Sequence, residues 1–274
     1  MRRSFPVYIV LVTLLALQHA AAAPERIVAL SPELVENLYA VGAGEQIVGR
    51  VAHSDFPESA RKLPVVGDFQ QLNIEAILAL QPDLILAWNE GNPPADLRRL
   101  QDLGLNVVAL GTPNLEALPE TLAQLGRLTG HRARAERLAS RLQSRLDGMA
   151  VSPSSPSRPV VFYQLWDEPL LSVSGKTLIG QALSFCGGNN PLASRPEPIP
   201  QVSVEAVLTM APDLIISTDE VASEWRDRWQ SWNRIPAVAN QRLFTVKADL
   251  LHRATPRFLD GLEQLCRYIE QSAR

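Results

Sequence analysis

Apolar positions along the chain follow two different periods. Short runs rich in β-branched residues ("RIVAL", "QIVGRV", "LPVVG", "DLILAW" and "NVVALG") are separated by "ELVENLYAVGA", "NIEAILALQ" and "ADLRRLQDLG", whose apolar residues recur three and four apart. The first kind of run predicts buried strands and the second predicts amphipathic helices. Their alternation predicts a parallel sheet with helices on both faces. The pattern resumes with "VVFYQLW", "TLIGQALSF", "SVEAVLTMA", "DLIIST" and "RLFTVK", then closes on the helix "PRFLDGLEQLCRYIEQ". Two α/β lobes follow from this, with residues 23–130 in the first and 151–274 in the second.

Between the lobes, residues 131–150 read "HRARAERLASRLQSRLDGMA". Ala135, Leu138, Leu142, Leu146 and Met149 form one apolar stripe at helical spacing, so this segment is expected to be a connecting helix about 30 Å long. Its arginines are interspersed with Glu136 and Asp147, the pattern of a solvated face and not of a nucleic-acid surface. Trp225, Trp229 and Trp232, four and then three apart, are expected to line one packed helix face.

The first 22 residues stand apart. Arg2 and Arg3 precede the apolar stretch "VYIVLVTLLAL", and "HAAAAP" places Ala20 and Ala22 where a signal peptidase needs small residues. The apolar stretch is too short to span a bilayer, so a cleavable leader and export to the periplasm are expected. Its removal takes the formal charge from −3 to −5. No long basic run remains, which argues against a nucleic-acid partner. The only two cysteines, Cys186 and Cys266, are then expected to pair in an oxidising compartment.

One phrase occurs twice. "NIEAILALQPDLILAW" starts at Asn73 and "SVEAVLTMAPDLIIST" starts at Ser203, 130 residues later, with identical Glu, Ala, Leu, Pro, Asp, Leu and Ile. Each copy reads as a helix capped by Asn or Ser, stopped before a proline and followed by a buried strand. Glu75 and Glu205 thus take equivalent places near a helix N-terminus. A first-turn carboxylate complements the helix dipole by about 0.3–1 kcal/mol, which explains either one alone. Two of them, symmetry-related, also suit a partner built from two subunits.

These features together resemble the helical-backbone periplasmic binding proteins of ABC importers. The resemblance runs over essentially the whole mature chain. Within that family the cobalamin-binding branch is matched by "HSDFP", "VVGDFQQLNIE", "LAWNEGN", "SGKTLIGQALSFCGG", "PQVSVEAVL" and "DLLHRATPR". The resemblance implies two Rossmann-like lobes joined by one long helix, with a ligand cleft between them. It implies docking of Glu75 and Glu205 on the membrane-spanning subunits of the importer, and a Cys186–Cys266 disulfide. Cleft positions correspond to His53, Phe69, Ile199 and the run Asp249, Leu250, Leu251, His252 and Arg253, with Trp166 or its neighbour Leu165 as a further contact. Trp88 is placed at or beside the cleft by its position at the end of "DLILAW".

The expected ligand is therefore cobalamin or a related corrinoid, carried and not used as a cofactor, by a protein that is monomeric when free. The branch usually presents large aromatic faces where this chain has His53, Phe69 and Ile199, which leaves an apolar wall of smaller area. Haem or an iron–siderophore is the competing cargo, though only Tyr39, Tyr163 and Arg253 stand out as groups for an anionic siderophore. His53 and His252 are expected as polar cleft contacts; with His131 on the connecting helix, the mature chain lacks the imidazoles of a zinc carrier. An exported hydrolase would need a G-x-S-x-G elbow, which "SVSGK" does not supply, so no enzyme activity is expected.

Overall fold

The computed structural model describes residues 23–68, 71–89, 91–149, 158–221 and 224–273. The expected leader lies outside these residues. Strands β1 (Ile27–Ala29), β2 (Ile47–Arg50), β3 (Leu84–Trp88) and β4 (Val107–Leu110) form a parallel sheet in the order β2-β1-β3-β4. Strands β5 (Val161–Gln164), β6 (Leu214–Thr218) and β7 (Leu243–Val246) form a second parallel sheet in the order β5-β6-β7. Helices α1 (Pro32–Val41), α2 (Ile74–Ala79), α3 (Pro94–Asp102) and α4 (Leu118–Leu128) belong to the first half. Helix α5 (Arg132–Met149) follows them. The second half contributes α6 (Leu178–Phe185), α7 (Val204–Met210), α8 (Trp225–Gln230), α9 (Pro236–Ala239), α10 (Ala248–Leu251) and α11 (Phe258–Ser272).

Strand side chains alternate between faces, and the core divides accordingly. Val28, Ile85 and Ala87 pack on one face of the first sheet against Val66, Ile77 and Leu100. Phe162 and Ile215 pack on one face of the second sheet against Trp225, Trp229 and Val238. The alternate residues of the same strands, Ile27, Leu84, Leu86, Val161, Tyr163, Leu214 and Ile216, all join one central cluster built with Leu38, Leu122, Leu142, Leu183 and Leu262. That cluster is continuous from lobe to lobe. Pulling the halves apart would expose it, so the packing opposes wide opening.

Helix α5 spans about 27 Å at the usual helical rise. Its stripe behaves as the spacing predicts: Ala135, Leu142 and Leu146 are buried, and Leu138 and Met149 pack partly buried against the same cluster. Arg134 donates to the Ala40 carbonyl at the end of α1, and Arg145 reaches both Asp260 and Glu263 of α11 at 2.8 Å. Cys186 and Cys266 are bonded, which ties the end of α6 to α11 across 80 residues of sequence.

The repeated phrase folds the same way twice. Asn73 and Ser203 accept hydrogen bonds from the N–H groups of Ala76 and Ala206, capping α2 and α7. Gln81 and Ala211, at matching places before the proline, both turn the chain with φ of 46°. Asp83 then accepts from the N–H groups of Glu25 and Arg26 at 2.8 and 3.1 Å, while Asp213 accepts from that of Val160 at 2.7 Å. Each aspartate stitches its own strand to the first strand of its lobe. This accounts for the identical Pro-Asp in both copies.

Two expectations need correction. "LPVVG" is not a strand: it makes only isolated bridges, Arg50 to Val65 and Gly67 to Leu72. Pro64 has no N–H to continue a ladder, and Gly67 turns away with φ of 131°. Of the three spaced tryptophans, Trp225 and Trp229 are buried on α8, but Trp232 lies beyond the helix end and is 38% exposed.

Candidate ligand cleft

Parallel strands of an α/β lobe aim their carboxyl ends at a crevice. Here a cavity of about 450 Å³ opens between the lobes at those ends. The first lobe lines it with Glu33 from α1, Trp88 at the end of β3, and Thr112 and Pro113 after β4. The second lobe supplies Leu165, Val173, Lys176, the start of α6 from Thr177 to Ile179, Pro198, Ile199, Leu251, His252 and Ala254. Its wall is chiefly apolar with a few polar groups, the usual make-up of a site for a bulky organic ligand.

Trp88 is held against the loop that follows it. Its backbone N–H donates to the Asn92 side-chain oxygen, and a Cβ added at Gly91 would stand 1.9 Å from the indole ring. The glycine is there because the ring lies over the backbone. Thr177 caps α6 by accepting from the Gly180 N–H, which orients Leu178 and Ile179 into the cavity wall.

Two sets of polar contacts, one around His252 and one around Arg253, stand beside the cavity. His252 places Nδ1 3.0 Å from Glu220 Oε2 and Nε2 3.3 Å from the Tyr163 hydroxyl. Burial, with the negative charges of Glu220 and Asp219, pushes the Tyr163 phenol far above its ordinary value, so it stays neutral. The hydrogen bond from His252 holds the Glu220 carboxyl low against its partial burial, helped by the nearby guanidinium of Arg253. Arg253 donates to Asp55 at 3.0 Å and to the His53 carbonyl at 3.2 Å, and pairs with Asp249 at 2.9 Å. Partial burial works to raise Asp55, but the bond and charge of Arg253 bring it below the usual carboxylate range.

The residues expected from the sequence fall into groups. Trp88, Ile199, Leu251 and His252 line the cavity. Arg253, Asp249 and His53 belong to the second set of polar contacts beside it; His53 is exposed and takes a positive φ of 62°, so its backbone carbonyl meets Arg253. Leu250 is half-buried on α10 and does not line the cavity. Of the two alternatives at the end of β5, Leu165 faces the cavity, and Trp166 is 47% exposed outside its lining. Phe69 lies outside the described residues.

Several lining residues were not anticipated: Glu33, Thr112, Pro113, Val173, Lys176 and Pro198. Lys176 and Thr177 sit inside the quoted "SGKTLIG", a loop-to-helix junction that is a usable signal. Nothing local marks Glu33, Asp55 or Glu220, because their partners are far away in sequence.

Glu75 and Glu205 each occupy the second position of a short helix. Each helix is followed by a parallel strand of its own half, β3 after α2 and β6 after α7. The Glu75 side chain is 80% exposed and 3.7 Å from Arg99. The Glu205 carboxyl is held below its ordinary range by its own backbone N–H and by Ser203. Among the described residues no group of three or more His, Cys, Asp or Glu is arranged to hold a metal ion, and no helix is long and apolar enough to cross a membrane.

A profile of the periplasmic binding protein family matches residues 27–250. The vitamin B12-binding protein of Pectobacterium carotovorum subsp. carotovorum is 38% identical over 252 residues, covering 90% of this chain and 89% of that protein. The solved structure of the periplasmic vitamin B12-binding protein of Vibrio cholerae superposes with a TM-score of 0.84 at 33% identity, covering 91% of this chain and 98% of the other. A periplasmic haem-binding protein from Pseudomonas aeruginosa matches with a TM-score of 0.74 at 30% identity, over 92% and 94% of the two chains.

Proposed function

The chain belongs to the periplasmic binding protein family, and on that premise we propose that it captures cobalamin or a related corrinoid and delivers it to an ABC importer. The observation that carries this reading is the apolar cavity between the lobes, walled by Trp88, Leu165, Leu178, Ile179 and Ile199, with Lys176, Glu33 and His252 as polar groups around it. A corrin is a broad apolar plate edged with amides. Its faces suit the tryptophan and the aliphatic wall; its amides suit hydrogen bonds to the charged and imidazole groups. The relatives named for vitamin B12 match at 38% and 33% identity against 30% for the haem-binding one, and the solved one superposes with a TM-score of 0.84 against 0.74, which favours this cargo over haem. No step of covalent chemistry enters the reading. The protein acts after export, its leader removed.

Mixing the purified protein with cyanocobalamin, haemin or a ferric siderophore and recording the visible spectrum retained after gel filtration tests the cargo. Retention of the cobalamin spectrum alone is expected. Retention of haemin in its place would reassign the cargo and leave the fold untouched.

Delivery rests on Glu75 and Glu205. Both carboxylates are exposed at the second position of equivalent helices, one in each half, an arrangement that suits a two-subunit membrane partner. Truncating one partner of a charge-assisted contact costs about 2–5 kcal/mol once the contact is desolvated. Replacing both glutamates by alanine is expected to abolish uptake in cells and to leave ligand affinity unchanged. Normal import by the double variant overturns the assignment.

A further inference from the structure

Between the cleft residue Leu251 and the start of α11, the chain is fastened to the opposite lobe. Arg253 donates to Asp55 and to the His53 carbonyl; the Ala254 N–H donates to Glu33, and the Ala254 carbonyl accepts from Asn37. Arg257 completes the seam. Its Nε and Nη2 donate to the two oxygens of Glu36 at 2.7 and 2.6 Å, and its guanidinium lies 3.7 Å over the Phe56 ring. Glu36 is 2% exposed, so this is a buried, two-pronged ion pair joining residues 221 apart in sequence.

A buried ion pair is a poor source of stability compared with apolar residues of similar volume, because desolvating the charges offsets their attraction. What the planar fork does supply is direction: it fixes both distance and orientation between α1 and the N-terminus of α11. Glu33, on one wall of the cavity, is one helical turn before Glu36. Ala254, on the other wall, is three residues before Arg257. We propose that Glu36 and Arg257 form a positioning clamp that sets the width of the cleft at its closed end, by locking the Leu251–Ala254 wall against α1. Part of the test rests on the ligand reading above; the other part does not.

The double variant Glu36→Met/Arg257→Met replaces the pair by apolar residues of similar volume, so neither a charge nor an amide is left buried without a partner. Two quantities are measured on the full mature protein: hydrogen exchange of the Leu251–Thr255 amides without ligand, and release of bound cyanocobalamin followed by its visible absorbance. Both are expected to accelerate about tenfold or more, with the urea midpoint close to that of the parent protein. Arg257→Lys, which keeps the charge but not the fork, is expected to show the same direction and serves if the double variant does not fold. Exchange unchanged within about twofold overturns the clamp whatever the ligand is. Faster exchange with unchanged release overturns its role in holding the cargo. If the parent protein retains no cyanocobalamin, it is the cargo reading that fails, and the exchange measurement still decides the clamp.

Discussion

Replacing Cys186 and Cys266 by alanine opens a covalent loop that spans 80 residues. In the chain-entropy picture, cross-linking a loop of that length removes about 15 cal/mol/K from the unfolded ensemble, or about 4.5 kcal/mol at 25 °C. Domains of this size are stable by only about 5–15 kcal/mol, so the bridge is a large share of the total. At about 2–4 °C per kcal/mol the midpoint of thermal unfolding is expected to fall by about 9–18 °C. Alanine is preferred to serine because Cys186 is 4% exposed within the apolar core, and alanine buries no new polar group there. The bridge lies at the far end of α6 from Leu178 and Ile179, which line the cavity. Affinity for the ligand is therefore expected to stay within about twofold at temperatures where the variant is folded. Urea denaturation of parent and variant, with matched m-values, measures the stability term, and equilibrium dialysis measures the affinity. A stability loss under about 1 kcal/mol would refute the entropic reasoning. A parallel loss of affinity would show that the bridge positions the cleft wall.

Other consequences are equally open to measurement. Gly91→Ala places a methyl against the Trp88 ring and forces the indole to move; ligand affinity is expected to drop about tenfold or more, read by tryptophan fluorescence titration, with a smaller effect on stability. Asp83→Ala and Asp213→Ala remove equivalent strand stitches, and each is expected to cost about 1–3 kcal/mol in urea unfolding. Asp83 accepts two backbone N–H groups and Asp213 one, so Asp83→Ala is expected to cost the more, and no loss in either would contradict the stitching role. Glu220 and Asp55 are both held below the ordinary carboxylate range in the folded protein. Their contribution is thus fully present above the unfolded values near about pH 4, and is lost as pH falls through the lower folded values. Glu220→Gln is expected to flatten the acid side of the stability–pH curve; an unchanged slope below about pH 5 would show that this carboxylate is not coupled to folding.

Much of the architecture was already present in the linear pattern. The strand and helix periods, the caps at Asn73 and Ser203, and the doubled Pro-Asp phrase are all read within windows of about ten residues, the range over which backbone and near-neighbour side chains interact. The sequence by itself therefore determined two parallel α/β halves, a bridging helix with its apolar stripe, and two glutamates in matching positions. It did not determine that "LPVVG" would fail as a strand, because Pro64 and Gly67 act only once a neighbouring strand is in place to be paired. Nor did it decide between Leu165 and Trp166, since one residue of register moves a side chain to the other face of a strand. The pairings of Arg257 with Glu36, Arg253 with Asp55 and His252 with Glu220 belong wholly to the tertiary structure. Those residues are brought together only when the chain folds around its shared apolar core, and a charge separated from its partner by up to about 220 residues leaves no periodic trace by which to find it.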